Sequence, residues 1–274
     1  MEAAGLPAMD EGARPIGLRR IIQMNDVWAT YGSGHALRGV SASIESGSNY
    51  AIVGRSGSGK STLLRLMNGM LAPERGAVRV GYDVPDARGR RFRRTLRTIG
   101  YIPQNLGLVK NTTVLRNVLL GALPRLGAVQ SALGRFPEGE VAEAERVLAS
   151  VGLGGMGHRK AHALSGGERR RVAIARALMQ HPTILLADEI VSELDPGTAR
   201  EIMGLVSEAQ RRTGLTAVMV HHDVSLALEY ASRVAVISEG KKVLEIGVDG
   251  DSITDFQTGS QSTREAVEAY SRDA

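Results

Sequence analysis

The stretch Gly54-Arg55-Ser56-Gly57-Ser58-Gly59-Lys60-Ser61-Thr62 concentrates the most chemistry in the chain. It fits the pattern G-x-x-x-x-G-K-[ST], follows the apolar run Ala51-Ile52-Val53 and opens a helical pattern. In that setting glycines let the backbone curl with its N–H groups around a phosphate. The helix behind presents its positive end to the same anion. Lys60 then reaches the β- and γ-phosphates of a nucleotide. Ser61 offers its hydroxyl to magnesium, a hard cation that prefers oxygen. The bland reading is a glycine-rich turn with an incidental lysine; the strand before and the helix after argue against it.

A magnesium–nucleotide site needs carboxylates, and Ile184-Leu185-Leu186-Ala187-Asp188-Glu189 supplies two. An apolar run ending in acids fits a central strand that stops at the ligand edge of a sheet. Asp188 is expected to hold magnesium through water. Glu189 is expected to orient or polarise the attacking water, because phosphoryl transfer depends mainly on positioning and charge stabilisation. A third motif, Leu164-Ser165-Gly166-Gly167-Glu168, opens another helix, running from Arg169 to Met179. It makes a second anion-binding terminus. One phosphate site does not need two such termini from the same chain.

Taken together, these three motifs resemble the ATP-binding-cassette (ABC) proteins over roughly residues 20 to 245. The resemblance implies an α/β P-loop NTPase fold with a mostly parallel RecA-like core, an antiparallel β subdomain and a helical subdomain. It also implies ATP as ligand, Mg2+ as its metal, and ATP hydrolysis as the activity. By the same resemblance Tyr31 matches the aromatic that stacks on adenine. Gln104 matches the glutamine that touches magnesium and the lytic water. Ser165, Gly166, Gly167 and Glu168 match the signature that clamps the γ-phosphate held by another copy. Ser192-Glu193-Leu194-Asp195 matches the loop that crosses this dimer contact, and His222 the histidine that meets the γ-phosphate. Of the adjacent His221 and His222, only register selects the second. The alternatives are an ordinary packing aromatic for Tyr31, a surface amide for Gln104 and a neutral histidine satisfied by a neighbour for either His221 or His222. Ile190, Glu193 and Glu168 depart from the proline, small residue and glutamine common in that family. None of the three removes a catalytic group.

Within the family, Leu133 to Glu138, Ala142 to Leu153 and Leu226 to Tyr230 resemble the ATPase subunit of phosphonate or phosphite importers. Asp223 stands where that group is expected to carry glutamine. Such importers pair a homodimer of ATPase subunits with two membrane-spanning permease subunits. An extracytoplasmic solute-binding protein delivers the anion. The implied location is the cytoplasmic face of the cell membrane, with no nucleic acid partner. The rival from another class is a soluble cassette ATPase acting on nucleic acid or ribosomes, suggested by Arg88, Arg90, Arg91, Arg93, Arg94 and Arg97. That run otherwise reads as a solvated helix face, and Phe92 is its one aromatic residue. A third reading is an assembly factor that scarcely turns over.

Elements must position these residues, and the periodicity indicates which. Strand-like runs cover Ile21 to Trp28, Leu37 to Ile44, Tyr50 to Val53, Val78 to Val80 and Ile99 to Ile102. After Gly59 a helical stripe of Leu63, Leu64, Met67 and Met70 is expected to face the core. From about Asn105 to Leu164 the pattern turns helical, and afterwards strand and helix alternate again. Asp223 is a plausible helix N-cap, and Glu239-Gly240 a hairpin turn. Alternation of this kind implies a largely parallel α/β sheet. The expected organisation is a loose tail over 1–17, an ATPase domain over 18–250 with a helical subdomain at about 105–170, and a C-terminal extension over 251–274. A short helix is expected at Thr263 to Tyr270. Of 274 residues, 43% are hydrophobic, enough for a sizeable core without staples. The absence of cysteine removes disulfides, thiolate metal sites and cysteine nucleophiles. The N-terminus does not read as a signal peptide, and no apolar run is long enough to span a membrane.

Overall fold

The computed structural model describes residues 20–31, 34–81, 95–126, 136–249 and 252–255. Most of the arginine run, Leu133 to Arg135 and the helix expected at Thr263 to Tyr270 lie outside them.

Strands β1 (Arg20–Tyr31), β2 (Gly34–Glu45) and β4 (Arg75–Val80) form an antiparallel sheet ordered β2-β1-β4. A second, seven-stranded sheet is ordered β10-β9-β8-β3-β7-β6-β5. Its strands are β3 (Asn49–Val53), β5 (Ile99–Ile102), β6 (Ile184–Asp188), β7 (Thr216–His221), β8 (Arg233–Ser238), β9 (Lys241–Asp249) and β10 (Ser252–Asp255). β3 runs parallel to β7 and β8, whereas β8–β9 and β9–β10 are antiparallel. Every residue of β3, β6 and β7 is buried. That explains their continuous apolar character, since a strand covered on both faces has no need to alternate.

The helices are α1 (Lys60–Met67), α2 (Val114–Leu119), α3 (Glu138–Ser150), α4 (Gly166–Leu178), α5 (Pro196–Thr213) and α6 (Val224–Tyr230). Their starts are chemically marked. Asp195 accepts from Thr198 N at 3.0 Å, and Pro196 sits in the first turn of α5. As its sequence position suggests, Asp223 caps α6 by accepting from Leu226 N at 3.2 Å. Glu239 (φ 46°) and Gly240 (φ 76°) form the two-residue turn between β8 and β9, with Ser238 opposite Lys241. Positive φ at both positions matches the twist of the flanking strands.

One expectation fails at α1. Leu63, Leu64 and Met67 are buried, but Met70 is 64% exposed. The helix stops at Met67 and Gly69 turns left-handed (φ 67°). The helical period ends there and no longer carries Met70 inward. β10 is an element the periodicity did not reveal.

The chain forms two compact units. One comprises Arg97–Leu185 and Ile190–Gly214; the other holds the described residues up to Leu96, Leu186–Glu189 and those from Leu215 onward. In the second unit Ala51 and Val53 of β3 pack with Val224, Ala227 and Leu228 of α6, and with Val234 and Val236 of β8. This cluster anchors the strand ends from which the site is built.

Candidate functional site

The loop Gly54 to Gly59 leaves buried β3 and enters α1. A Cβ on Gly54 (φ 148°) would lie 2.1 Å from Ile237 O. A Cβ on Gly59 (φ 108°) would lie 2.5 Å from Ala36 O. Both positions therefore require glycine, for backbone conformation and for space. Between them lie Arg55, Ser56, Gly57 and Ser58; Ser58 N donates to Arg55 O at 3.2 Å. Lys60 is buried. Its Nζ donates to Gly54 O at 2.7 Å and to Arg55 O at 2.8 Å, which holds the ammonium inside the loop's curl. Burial lowers its pKa, opposed by the negative charges of Glu189 and Asp188.

The carboxylates converge on the same loop. Ser61 Oγ donates to Asp188 Oδ1 at 3.1 Å. Burial raises the pKa of Asp188, helped by the Glu189 charge, while the Ser61 hydrogen bond, Arg65 and Lys60 oppose it. A cation would relieve that penalty. The two oxygens suit a hard divalent ion that takes its other ligands from phosphate and water. Among the described residues no three His, Cys, Asp or Glu side chains gather into a metal site by themselves. Glu189, next along the chain, has φ 53°, and its N–H donates to Val220 O at 3.2 Å. A left-handed conformation costs a non-glycine residue about 1 kcal/mol or more. Here it directs the carboxylate to His222, with Oε1 and Nε2 2.5 Å apart. Glu189's side chain is 10% exposed and His222's 44%. A shielded base beside an accessible imidazole can orient a water and meet a phosphate. Lys60, Ser61, Asp188, Glu189 and His222 thus come together within one compact unit.

His221, its neighbour, is the last residue of β7 and pairs in register with Val53. It is buried, and neither ring nitrogen has a hydrogen-bond partner. Burial lowers its pKa to about 4, so it stays neutral. Register therefore selects the histidine that faces the site. Tyr31 closes β1 opposite Gly34, and its side chain lies outside the described residues.

The remaining expected residues belong to the other unit. Gln104 follows β5 and Pro103 and is exposed. Ser165 caps α4: its Oγ accepts from Glu168 N at 3.2 Å, and Glu168 Oε2 accepts from Ser165 N at 2.7 Å. This reciprocal capping box satisfies two otherwise orphaned donors and is worth about 1 kcal/mol. Glu168 Oε1 also pairs with Arg159 at 3.2 Å. The hydrogen bond from Ser165 N, joined by Arg159, keeps the Glu168 carboxyl below its usual pKa. Gly166 and Gly167 form the first turn of α4 behind this cap. Asp195 caps α5, and the Thr198 hydrogen bonds lower its pKa.

Sequence reasoning missed two arginines on α4. Arg176 donates to Leu106 O and Gly107 O, each at 2.6 Å, and so fixes a left-handed pair (φ 61° and 57°) just after Gln104. Arg170 reaches the backbone of Ile190 and Ser192. An arginine-rich helix reads as a solvated face, and only long-range contacts show otherwise.

The family model for ABC transporter matches residues 37–192. This chain belongs to the ABC transporter family. It is an ABC ATPase. The phosphonates import ATP-binding protein PhnC of Frankia casuarinae is 41% identical over 225 residues, covering 82% of this chain and 89% of that protein. PhnC 1 of Rhodopseudomonas palustris is 38% identical over 249 residues, covering 87% and 89%. Among solved structures, the dimeric bacterial ABC transporter cassette MJ0796 has a TM-score of 0.74 at 32% identity, covering 84% of this chain and 99% of that one. The dimeric post-hydrolysis state of MJ0796, bound to ADP and Pi, has a TM-score of 0.72 at 30% identity, covering 84% and 99%. In this ABC ATPase no helix among the described residues is long and apolar enough to cross a membrane.

Proposed function

We propose that this ABC ATPase energises import of a small oxyanion, a phosphonate or a close relative such as phosphite, from the cytoplasmic face of the cell membrane. The observation that carries the ATPase part is the set of contacts that holds Lys60 in the Gly54–Gly59 loop, joins Ser61 to Asp188 and pairs the adjacent Glu189 with His222. The substrate class rests on the names of relatives such as the Frankia protein.

Each residue has a role that its surroundings suit. The backbone from Gly54 to Thr62 cradles the phosphates, and Lys60 supplies the cation to the β- and γ-groups. Ser61 and Asp188, already joined by a hydrogen bond, would hold magnesium. Magnesium bound there with ATP would supply positive charge to offset the negative charge of the transferring phosphate. Glu189 orients the attacking water, and His222 steadies both that carboxylate and the γ-phosphate. Tyr31 stacks on adenine. Two copies pack head to tail, so that Ser165 to Glu168 and Asp195 of one face the ATP of the other. ATP then favours the closed pair, and hydrolysis removes the contact that holds it shut.

The partners are two permease subunits and an extracytoplasmic solute-binding protein. A cavity of about 380 Å³ supports a permease grip after Gln104. Leu106, Leu108 and Lys110 line it on one stretch, Ala161, His162 and Arg169 on another. The test is purification of tagged chain from detergent-solubilised native membranes. A stoichiometric polytopic membrane protein, with ATPase stimulated by phosphonate-loaded binding protein, is the expected result. Recovery of nucleic acid or ribosomes without a membrane protein overturns the importer assignment.

A further inference from the structure

Helix α4 begins at the Ser165 cap, and one turn into it Arg170 points back along the helix. Its Nη1 donates to Gly166 O at 3.3 Å. Its Nε donates to Ile190 O at 2.6 Å, and its Nη2 donates to Ser192 O. Three backbone carbonyls thus converge on one planar fork. Two of them belong to the segment between the Asp188-Glu189 pair and the Asp195 cap. Carbonyls gathered this way repel one another unless a cation with several fixed donors sits among them. A guanidinium spans them all; an ammonium presents a single point charge. Burial pulls the Arg170 pKa below its usual value and the Glu193 charge pushes it back. Glu193 itself has φ 63°, a left-handed bend that the segment must hold.

The segment from Ile190 to Glu193 contains no proline whose ring would stiffen φ, so its bend needs another restraint. Arg170 supplies one from outside the segment, and Glu193 adds a favourable charge beside it.

We propose that Arg170 is a positioning residue: it straps the Ile190–Ser192 backbone to the first turn of α4, so that the Ser165-Gly166-Gly167 terminus and the Ser192–Asp195 loop move as one body and set the cooperativity between two ATP sites. The inter-site part rests on the two-copy reading above. Arg170 touches neither ATP nor the attacking water. Its loss acts on how the half-site surface is presented to a second copy, while nucleotide binding by the Lys60 loop of a single copy is left intact.

The test uses the full chain with Arg170→Met, which keeps most of the apolar stem without donors, and Arg170→Lys, which restores a charge but not the fork. Amide hydrogen exchange over residues 190–195 is compared with steady-state ATPase across ATP concentrations and with binding of a fluorescent ATP analogue. The expected result is faster exchange confined to that segment and analogue affinity within about twofold. Turnover falls roughly tenfold, the order of one charge-assisted hydrogen bond. The Hill coefficient falls toward one, and Arg170→Lys lies between. Unchanged exchange overturns the strap. Faster exchange with unchanged turnover and Hill coefficient overturns its role between sites, as does a loss confined to analogue affinity. Glu189→Gln run alongside separates the two ideas. If that variant stays monomeric at saturating Mg-ATP, the two-copy reading falls and takes the inter-site role with it, whatever the exchange shows.

Discussion

Replacing His221 with leucine tests how the protein tolerates an imidazole inside its sheet. The ring is 1% exposed and both nitrogens lack partners. An unsatisfied buried polar group costs about 1–3 kcal/mol, and leucine of similar bulk removes that cost. His221→Leu is therefore expected to gain on the order of 1 kcal/mol at pH 7.5. The pH dependence is sharper. Burial lowers the folded pKa from 6.5 to about 4, with Asp223 opposing and His222 assisting the shift. Between those values the unfolded chain binds more protons than the folded one, so stability falls as pH falls. The loss begins as pH drops through 6.5 and is complete below about 4. At pH 5 it amounts to about 2 kcal/mol for this one group. His221→Leu lacks this loss, so its advantage over the parent should widen by that amount between pH 7.5 and pH 5. The assay is urea denaturation of both proteins at each pH, read by far-ultraviolet circular dichroism. Parallel loss of stability in parent and variant would refute the buried neutral imidazole. A variant markedly weaker at pH 7.5 would show that the ring makes a stabilising contact.

Lys60→Ala removes the cation held in the phosphate loop; turnover should drop at least a hundredfold, and activity within twofold of the parent sinks the assignment of that loop. Glu189→Gln keeps the shape but loses the charge beside His222, so it should bind ATP, hydrolyse it at least a hundredfold more slowly and accumulate as a dimer in light scattering. Gly54→Ala places a methyl 2.1 Å from Ile237 O and strains φ 148°. It should lower the unfolding midpoint of the unit carrying β3 and abolish binding of a fluorescent ATP analogue; unchanged melting and binding would show that the loop has another way to accommodate the side chain.

The phosphate loop was legible because its chemistry is contiguous. Glycines, Lys60 and Ser61 occur in one run between a strand and a helix, and the backbone there follows local rules. Asp188 and Glu189 were legible for the same reason, at the end of an apolar run. Asp223 declared itself as a cap by residue type alone. Contacts that join distant segments were not legible. Nothing around Glu189 announces a left-handed residue turned toward His222; that depends on β6 and β7 lying side by side in the sheet. Arg170 and Arg176 look like solvated charges until the carbonyls they serve are placed. Met70 fits the helical period, yet the turn at Gly69 removes it from the core. His221 was expected to find a neighbour if it was not functional, and burial leaves it without one.

By itself the sequence determined the family and its ATPase chemistry, and it set the glycine-rich loop with Lys60 on a strand–helix frame. Local spacing and residue type suffice for that, because a phosphate cradle is built from adjacent N–H groups. Tertiary structure alone decided that His222 meets Glu189 while His221 is buried without a partner, how the Ser192–Asp195 loop is held, and where α1 ends. Those outcomes depend on strand order, on burial and on donors that reach across the fold, which no window of neighbouring residues contains.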